Sequence, residues 1–423
     1  MRSREEIMQL IEEEDVEFIR LQFVDMFGNL KNLAVTPGQM ERVLNGQYFF
    51  DGAAMFDDLV LYDDEFYLYP DLDSFVILPW RPQQGRVGKF MCDVYTEDGN
   101  PLSLSPRSIL QNVIKKGREL GYTTMVDSEC EFFLFHTDEN GIPTIVTHER
   151  AGYMDVGPVD LGENARREMV LNLEKMGFEI ESSHHEKAPA QHEIDFRQAE
   201  ALKTADALMD FKFAVRSIAK RFGLYATFMP KPKANCAGSG MHLNFALYKD
   251  GVNVFEDVKK AKNFMGGIIK YVDELCAITN PIVNSYKRII SGFEAPTKIN
   301  WSTKGENGLV KLRKLFGEKR VELRFPDPSA NPYLALAVCL AAGMKGMEEE
   351  IDPDQIVEGF GAEGKKLPET LKEAAEHLKN SEFMREVLGD DFVDIYTAVK
   401  EREWKEYMLE VSDWEVGRYL AKI

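Results

Sequence analysis

The chain has few cysteines, and they are widely separated. The five are an odd number and form no Cys-x-x-Cys pair; they are Cys92, Cys130, Cys236, Cys276 and Cys339. This pattern excludes a disulfide-stapled scaffold and a structural zinc site, and it is typical of proteins in a reducing compartment. We therefore expect a cytoplasmic protein without structural zinc.

Long apolar runs and a net positive charge are also missing. No uninterrupted apolar run reaches about 18 residues, the length of a membrane-spanning helix, and the polar start of the chain leads into an acidic helix pattern. Lys and Arg total 51 against 71 Asp and Glu, which gives a formal charge of −20 and a pI near 4.9. Such a charge disfavours broad contact with nucleic acid or anionic membranes. We expect no secretion, no membrane span and no nucleic-acid partner.

The chemistry is concentrated in residues 184–196, which read His-His-Glu-Lys-Ala-Pro-Ala-Gln-His-Glu-Ile-Asp-Phe. The stretch contains Glu186, Glu193 and Asp195 together with three histidines. Carboxylates placed close together raise one another's pKa, and they stay ionised when a cation such as Mg²⁺ or Mn²⁺ offsets the repulsion. A metal site is one interpretation, and a polar loop with solvated histidines is the other.

A predicted strand from Met125 to Phe135 carries a pair of acids. Side chains alternate between the two faces of a strand, so Glu129 and Glu131 share one face while Cys130 and Phe132 take the other. Paired acids on a sheet face need a cationic partner, although surface strands also carry charged faces.

A third charged pattern, Arg320-Val-Glu-Leu-Arg324, places two guanidinium groups on either side of the Glu322 carboxylate. Guanidinium groups bind phosphoryl oxygens in pairs, so the pattern indicates a phosphate site beside a metal. A purely structural ion ladder is the alternative. Upstream, the glycines of Gly238-Ser-Gly-Met-His242 allow the backbone to approach a ligand closely.

The remaining patterns predict a small sheet domain followed by a larger domain, with a boundary near residue 100. Strands are predicted at 17–23 and 31–35, and residues 49–54 are predicted as a loop. Helices are predicted at 105–120, 164–176, 199–222 and 266–278. Residues 291–296 are rich in turn formers and contain Glu294, which is typical of a mobile cover over a site.

These residues match a known family in order along nearly the whole chain. The matching segments are Phe50 to Gly52, Glu129 to Phe133, His184 to Phe196, Phe228 to Lys231, Gly238 to His242, Asn284 to Arg288, Phe293 to Pro296, Arg320 to Tyr333, and Asp413 to Glu415. The chain resembles glutamine synthetase of the bacterial and archaeal type I class. The resemblance implies an α+β fold, with an N-terminal β-grasp domain at residues 1–100 and a catalytic α/β domain with a curved antiparallel sheet at 101–423. It also implies a dodecamer of two stacked hexameric rings with each active site between neighbouring subunits.

The resemblance further implies a reaction and its residues. ATP phosphorylates the γ-carboxylate of glutamate, and ammonia then displaces phosphate to form glutamine, with Mg²⁺ or Mn²⁺ holding the phosphates. The implied ligands of the first metal are Glu131, Glu186 and Glu193, and those of the second are Glu129, His242 and Glu322. The implied nucleotide contacts are Arg320, Arg313, Asn244 and Phe196. The implied glutamate and phosphoryl contacts are Gly238, Arg288 and Arg324.

Three further residues have implied roles around ammonia. Glu294 is implied to be the acid of a loop that shields the intermediate and takes a proton from ammonia. Asp51 is implied to reach the site of the neighbouring subunit, to bind ammonium and to accept its proton. Tyr153 is implied to line the ammonium pocket.

The chain departs from the family pattern on the substrate side. Ala53 and Ala54 replace two serines, and Ala237 replaces an asparagine before the glycine loop. After Trp301 the pattern has two arginines, whereas this chain reads Glu306-Asn-Gly-Leu-Val-Lys-Leu-Arg313. One alignment puts Gly308 and Arg313 at the two positions, and an ungapped alignment puts Glu306 and Lys311 there. In either case one cation is missing, and losing one such donor typically costs about 2.7 to 4 kcal/mol of transition-state stabilisation.

Three functions therefore remain open. The intact metal ligands, Asp51 and Glu294 favour an ordinary glutamate ammonia ligase. Ala53, Ala54 and Ala237 favour a γ-glutamyl ligase that uses another amine or carboxylate. The missing arginine favours a weakly active or inactive homologue with a regulatory role.

Overall fold

The structure, a computed structural model, describes residues 2–56, 64–81, 84–290, 293–303, 308–357 and 365–423. Its N-terminal part contains two helices and six strands. They are α1 (Arg4–Glu13), β1 (Val16–Val24), β2 (Leu30–Val35), α2 (Met40–Leu44), β3 (Tyr48–Asp51), β4 (Glu65–Pro70), β5 (Val76–Ile77) and β6 (Arg86–Tyr95). The strand order is β2-β1-β6-β4-β3, with β5 beside β6. Strands β1 and β6 run parallel, and the other pairs are antiparallel.

Local sequence explains how these elements begin. Helix α1 begins at a capping box, in which Ser3 Oγ accepts from the Glu6 backbone N–H at 3.1 Å and the Glu6 carboxylate accepts from the Ser3 N–H at 2.6 Å. Along β1, Ile19, Leu21 and Phe23 are buried because alternate side chains face the core. The two strands predicted at 17–23 and 31–35 are thereby confirmed.

The second sheet has nine strands and curls around the candidate site. The strands are β7 (Thr123–His136), β8 (Ile180–His185), β9 (Gln191–Glu200), β10 (Leu224–Thr227), β11 (Met241–Lys249), β12 (Val252–Asn253), β13 (Trp301–Ser302), β14 (Val310–Leu315) and β15 (Glu318–Leu323). Their order is β13-β14-β15-β11-β7-β9-β8, with β10 beside β7 and β12 beside β11. All pairs are antiparallel except β13 with β14.

Helices accompany this sheet. They are α3 (Pro106–Glu119), α4 (Glu163–Lys175), α5 (Ala201–Arg221), α6 (Val258–Thr279), α7 (Val283–Ile289), α8 (Pro332–Glu348), α9 (Leu371–Lys379), α10 (Glu382–Leu388), α11 (Asp390–Leu409) and α12 (Asp413–Tyr419). Helices α6 and α8 touch backbone to backbone, since a Cβ on Gly267 would lie 2.0 Å from the Ala342 carbonyl oxygen. Within the described ranges, every helix is too short or too polar to cross a lipid bilayer.

Two predicted element bounds were wrong, and a capping carboxylate explains each. Residues 49–54 are not a loop, because β3 continues to Asp51 and pairs with β4. The Asp51 carboxylate then caps a short 3-10 turn at Gly52–Met55 by accepting from the Ala53 N–H at 2.9 Å. Helix α6 begins at Val258, ahead of the predicted start, because Asp257 caps it through the Lys259 N–H at 3.0 Å.

Buried ion pairs join the two sheets. Arg107, at the start of α3, pairs with Asp71 at 2.6 Å, with Asp206 at 2.9 Å and with Asp93. Lys89 of β6 pairs with Asp210 of α5 at 2.6 Å. These pairs tie the N-terminal sheet to the helices behind the curled sheet, so the two layers hold each other in place.

Candidate active site

The two acids of β7, Glu129 and Glu131, lie on one face of the curled sheet. Glu129 and Glu131 project from that face, while Cys130 and Phe132 are fully buried on the other face. The predicted alternation along this strand is confirmed. The side chains that contact the two carboxylates therefore come from the strands next to β7.

Strands β11 and β15 complete one cluster around Glu129. His242 is the direct cross-strand partner of Glu129, and its Nδ1 lies 2.9 Å from Glu129 Oε2. The same nitrogen lies 3.7 Å from Glu322 Oε1 on β15. One donor atom from each of the three residues lies within 4.8 Å of the others. The structure therefore brings together the three residues predicted as ligands of the second metal.

The hairpin of β8 and β9 supplies a second cluster beside Glu131. Glu193 is the cross-strand partner of both Glu131 and His184. His184 Nε2 lies 2.9 Å from Glu186 Oε1 and 3.7 Å from Glu193 Oε1. One donor set here is His184, Glu193 and Asp195, within 4.8 Å of one another. His184 and Asp195 were not predicted as ligands, although both lie in the acidic stretch at residues 184–196.

The carboxylates of the second cluster repel one another. Burial, and then the charges of Asp195, Glu131, Glu129 and Glu186, raise the pKa of Glu193 well above its usual range. Burial, and then Glu186, raise the pKa of Glu131 to about 8. Within the chain's described part, Glu322 Oε2 is a buried oxygen without a hydrogen-bond partner. Buried, crowded carboxylates with a histidine are the donor set that Mg²⁺ and Mn²⁺ prefer, so these residues fit divalent metals.

His242 sets the charge of the other cluster. Burial opposes ionisation of Glu129, but its favourable partners, with the hydrogen bond and charge of His242 first among them, together lower the pKa of Glu129 to about 2. Arg313 and Asn244 act in the same direction. Glu129 is therefore held as a carboxylate, the form that binds a metal.

Strand β14 brings two cations to this cluster. Arg313 Nη1 lies 3.1 Å from Glu322 Oε1 and 3.3 Å from Glu129 Oε1. Lys311, two residues earlier on the same face of the strand, places its Nζ 3.8 Å from Glu322 Oε2. Both candidates for the second family arginine are therefore at the site, so the choice of alignment does not decide whether a cation is present.

The position of the first family arginine differs between the two alignments. Glu306 and Asn307 lie outside the described residues. Gly308 is described, and a Cβ there would lie 2.4 Å from Ser302 Oγ and 3.1 Å from the Lys311 side chain. An arginine at position 308 therefore requires Ser302 to move.

Arg288 and the glycine loop pack against each other. Arg288 is buried, and its Nη1 and Nη2 donate to the carbonyl oxygens of Phe325 at 2.9 Å and Arg324 at 3.0 Å. A Cβ on Gly238 would lie 2.3 Å from the Pro230 carbonyl oxygen, and one on Gly240 would lie 2.6 Å from Arg288 Nη2. The two glycines are needed because the loop lies against Arg288 without room for side chains. The side chain of Arg324 is oriented by Glu322, with its Nε 3.5 Å from Glu322 Oε1.

Glu294 and Tyr153 meet at the rim of the site through a lysine. Glu294 has a left-handed backbone conformation, with φ of 63°, which is uncommon for a residue other than glycine. Its carboxylate pairs with Lys187, whose Nζ also lies 5.5 Å from the centre of the Tyr153 ring. Tyr153 packs edge-on against His184 at 5.6 Å. The predicted acid and the predicted tyrosine are thus both joined to the hairpin that carries Glu186.

The nucleotide contacts implied by the resemblance have different environments. Arg320 is buried and pairs with Asp127. Asn244 is buried and donates to Asp127 Oδ1 at 2.6 Å and to Glu129 Oε1 at 3.2 Å. These two side chains contact Asp127 and support the cluster of Glu129, His242 and Glu322 from one side.

The nucleotide role of Phe196 needs correction. Phe196 is 4% exposed and packs edge-on against Phe178 at 5.3 Å. It lies on the core face of β9, opposite to Glu193 and Asp195, because successive side chains alternate across a strand. In this structure its ring is part of the core.

Asp51 lies in the N-terminal sheet, at the end of β3. Its side chain is exposed, and the contact described for it is the local one with Ala53. The structure does not bring Asp51 to the clusters of its own chain. Its implied role needs the neighbouring subunit and stays a prediction.

A buried polar network behind the hairpin was missed. Glu149 Oε1 accepts from His185 Nε2 at 2.7 Å, and Arg166 Nη1 lies 2.7 Å from both Asp160 Oδ2 and His192 Nδ1. The two histidines belong to the acidic stretch, but Glu149 and Asp160 lie in a segment without helix or strand periodicity. No sequence signal places that segment beside the hairpin.

Comparison with known proteins agrees with this architecture. Family models described as "Glutamine synthetase, beta-Grasp domain" and "Glutamine synthetase, catalytic domain" match residues 15–97 and 103–419. Glutamine synthetase of Clostridium saccharobutylicum is 48% identical, with 99% of both chains covered. Those of Methanosarcina mazei and Thermus thermophilus are 42% and 43% identical over 100% and 99% of this chain, and 98% and 99% of theirs. Two solved structures, described as "GmaS/ADP complex-Conformation 1" and "Apo GmaS without ligand", are 31% identical, cover 98% of this chain and 99% of theirs, and superpose with TM-scores of 0.89 and 0.87.

Proposed function

The chain belongs to the glutamine synthetase family, and we propose that it joins ammonia to the γ-carboxylate of glutamate on the face of the curled sheet that carries Glu129 and Glu131. It is a glutamate ammonia ligase. The observation that carries the location is the convergence of Glu129, His242 and Glu322, whose donor atoms lie within 4.8 Å of one another beside Glu131, Glu186 and Glu193.

We assign one divalent ion to the cluster beside the β8–β9 hairpin, called the first ion, and another to the cluster around Glu129, called the second ion. Glu131, Glu186 and Glu193 would hold the first, and Glu129, His242 and Glu322 would hold the second, with Mg²⁺ or Mn²⁺ as the ion. When bound, the ions neutralise the phosphate oxygens of ATP. The mutual repulsion around Glu193 supports this assignment because a cation would offset it, and the buried Glu322 Oε2, which has no hydrogen-bond partner among the described residues, is available as a ligand.

The cations of the site would stabilise phosphoryl transfer from ATP to glutamate. Arg313 lies against both acids of one cluster, and Arg324 is oriented by Glu322. Guanidinium groups held in this way can follow the charge that develops on the transferred phosphoryl group. Arg288 and Gly238 would position glutamate, since Arg288 supports the glycine loop. Arg320 and Asn244 would act on the nucleotide side.

The acyl phosphate must react with ammonia and not with water. Glu294, on a loop at the rim, would shield the intermediate and accept a proton as the amide bond forms. Asp51 of a neighbouring subunit would bind ammonium and accept its proton, and Tyr153 would line the same pocket. This assignment includes assembly as a dodecamer of two hexameric rings. The five free cysteines support a reducing compartment such as the cytoplasm.

Two observations favour this function over the alternatives. The three relatives at 42% to 48% identity reported above are named glutamine synthetase, whereas the two GmaS structures are 31% identical, and this difference favours ammonia over another amine. Arg313 and Lys311 both lie against Glu322, so the altered segment keeps positive charge at the phosphoryl site, which favours an active enzyme.

The test is phosphate release from ATP with glutamate and ammonium in Mg²⁺ or Mn²⁺, with glutamine measured in the same samples. A parallel series replaces ammonium by small amines. Glu294→Gln should lower glutamine formation at least tenfold, whereas the matched variant Glu139→Gln, on an exposed turn, should not. Turnover with another amine but not with ammonium would overturn the assignment, and so would ATP binding without any turnover.

A further inference from the structure

One cation at the rim belongs to none of the assigned roles. Lys187 lies in the turn between β8 and β9, directly after Glu186. Its ammonium group pairs with the Glu294 carboxylate and lies 5.5 Å from the centre of the Tyr153 ring. Three separate segments of the chain therefore meet at one side-chain nitrogen.

A carboxylate and an aromatic face together form a site for a small cation. The ring quadrupole attracts an ammonium group, and the carboxylate neutralises it. The ε-ammonium of lysine is a compact, strongly hydrated point charge, and ammonium is the same group without the alkyl chain. Any pocket that holds the Lys187 nitrogen in this way also suits ammonium itself.

The loop that carries Glu294 has a second support. Lys231 Nζ lies 4.3 Å from the centre of the Phe293 ring, next to Glu294. If Lys187 leaves Glu294, the contact between Phe293 and Lys231 would therefore still hold the loop in place. The side chains of Lys187 and Glu294 are 36% and 40% exposed, so water can replace their contact without leaving a buried charge.

We propose that Lys187 is a tethered competitor of ammonium, which occupies the pocket of Glu294 and Tyr153 in the substrate-free enzyme and must leave it before ammonium binds. This inference rests on the proposed function, which assigns both partners to ammonia. It makes Lys187 a residue that sets the KM for ammonium, because only the fraction of enzyme with an open pocket can bind substrate. For a half-exposed ion pair that fraction is about one third to one sixth.

The experiment is steady-state kinetics of Lys187→Met, Lys187→Arg and the matched control Lys175→Met, which removes an exposed charge from the end of α4. Lys187→Met should lower the KM for ammonium about three- to sixfold, with smaller changes in kcat and in the KM for glutamate. Lys187→Arg should stay near the wild-type KM, because a guanidinium group keeps the pairing with Glu294. Lys175→Met should leave all three constants unchanged.

A KM for ammonium that is unchanged or higher in Lys187→Met, in protein with the wild-type melting temperature, would overturn the proposal. A lower KM in Lys175→Met as well would also overturn it, because the effect would then be one of net charge. The wild-type enzyme serves as the separate test of the proposed function. If it forms no glutamine from ammonium, that function fails, and the role of Lys187 fails with it.

Discussion

His185 and Glu149 form a buried hydrogen-bonded pair behind the hairpin of the active site. His185 Nε2 lies 2.7 Å from Glu149 Oε1, and Nδ1 lies 2.6 Å from the carbonyl oxygen of Glu186. Both ring nitrogens face acceptors, an arrangement that favours the doubly protonated ring. Burial opposes this charge, but the hydrogen bond and charge of Glu149, together with the hydrogen bond to the Glu186 backbone and the charge of Asp160, outweigh it and raise the pKa of His185. The pair therefore fixes the backbone of a proposed metal ligand.

Glu149→Gln should weaken metal binding without removing a ligand. Glu149 Oε2 accepts from the N–H groups of Leu161 at 2.8 Å and Gly162 at 3.2 Å. In Glu149→Gln one of the two oxygens becomes an NH₂ group, which would face either these N–H donors or the N–H of His185. Partners that orient metal ligands are typically worth about 10- to 100-fold in metal affinity. We expect the Mn²⁺ concentration for half-maximal phosphate release to rise by about that factor.

The control for this prediction is Glu174→Gln, which changes an exposed acid near the end of α4. It should leave the Mn²⁺ requirement unchanged. If Glu149→Gln lowers kcat at saturating Mn²⁺ but leaves the half-maximal Mn²⁺ concentration unchanged, then Glu149 does not act through the metal ligand.

Glu193→Gln should stabilise the metal-free protein and weaken its response to metal, because the cluster of Glu129, His242 and Glu322 remains. The raised pKa of Glu193 comes from burial and from the surrounding acids, so the folded state binds a proton that the unfolded state releases above about pH 4.3. The stability of the metal-free protein therefore falls as pH rises above that value. A neutral glutamine side chain at position 193 does not ionise, so the variant lacks this pH-dependent loss of stability. We expect the metal-free variant to have a higher free energy of unfolding than the wild type at pH 7.

Melting curves with EDTA and with Mn²⁺ would check this. The wild-type melting temperature should rise with Mn²⁺, and that of Glu193→Gln should rise by a smaller amount. A variant that is less stable in EDTA would contradict the idea that carboxylate repulsion dominates the empty cluster.

The sequence predicted which residues belong to the site better than it predicted which of them contact one another. Alternation along β7 predicted that Glu129 and Glu131 share a face, because strand geometry is local. The same rule, applied to β9, would have placed Phe196 opposite to Asp195. The pairing of His242 with Glu129 depends on strand register across 113 positions, which only tertiary packing decides. Glu149 was missed because an irregular segment has no periodicity to read.

Arg107 should be worth far more to stability than a surface arginine. It is 3% exposed and balances Asp71, Asp93 and Asp206 at the junction of the two sheets. Removing one partner of a buried ion pair typically costs about 3 to 5 kcal/mol, because the remaining charges stay buried without compensation. Arg107→Leu should therefore lower the free energy of unfolding by that amount.

The comparison variant is Arg118→Leu, on the same helix. Arg118 pairs with Glu200 at 2.8 Å, but both side chains are largely exposed, so its loss should cost less than about 1 kcal/mol. Chemical denaturation of both variants at one pH gives the two values. Equal losses would mean that the junction does not depend on the Arg107 charge.

Lys212 should make stability rise with pH in an alkaline window. Its Nζ is buried in α5 and donates to the Ala330 carbonyl oxygen at 3.1 Å. Burial lowers the pKa of Lys212 to about 8, against about 10.4 in an unfolded chain. Between these values the unfolded state binds more protons than the folded state, so stability increases with pH. The contribution amounts to about 3 kcal/mol at most across the window.

Lys212→Met removes the buried ammonium and should therefore be most favourable at low pH. We expect the melting temperature of the variant, relative to wild type, to be highest near pH 7.5 and to fall towards pH 10.5 as the wild-type lysine becomes neutral. Other lysines and tyrosines titrate in both proteins and cancel in the difference. Lys220→Met, an exposed change on the same helix, should follow wild type at every pH. If Lys212→Met also runs parallel to wild type, then Lys212 is charged in the folded protein throughout the range, and the helix must supply a counter-charge to it.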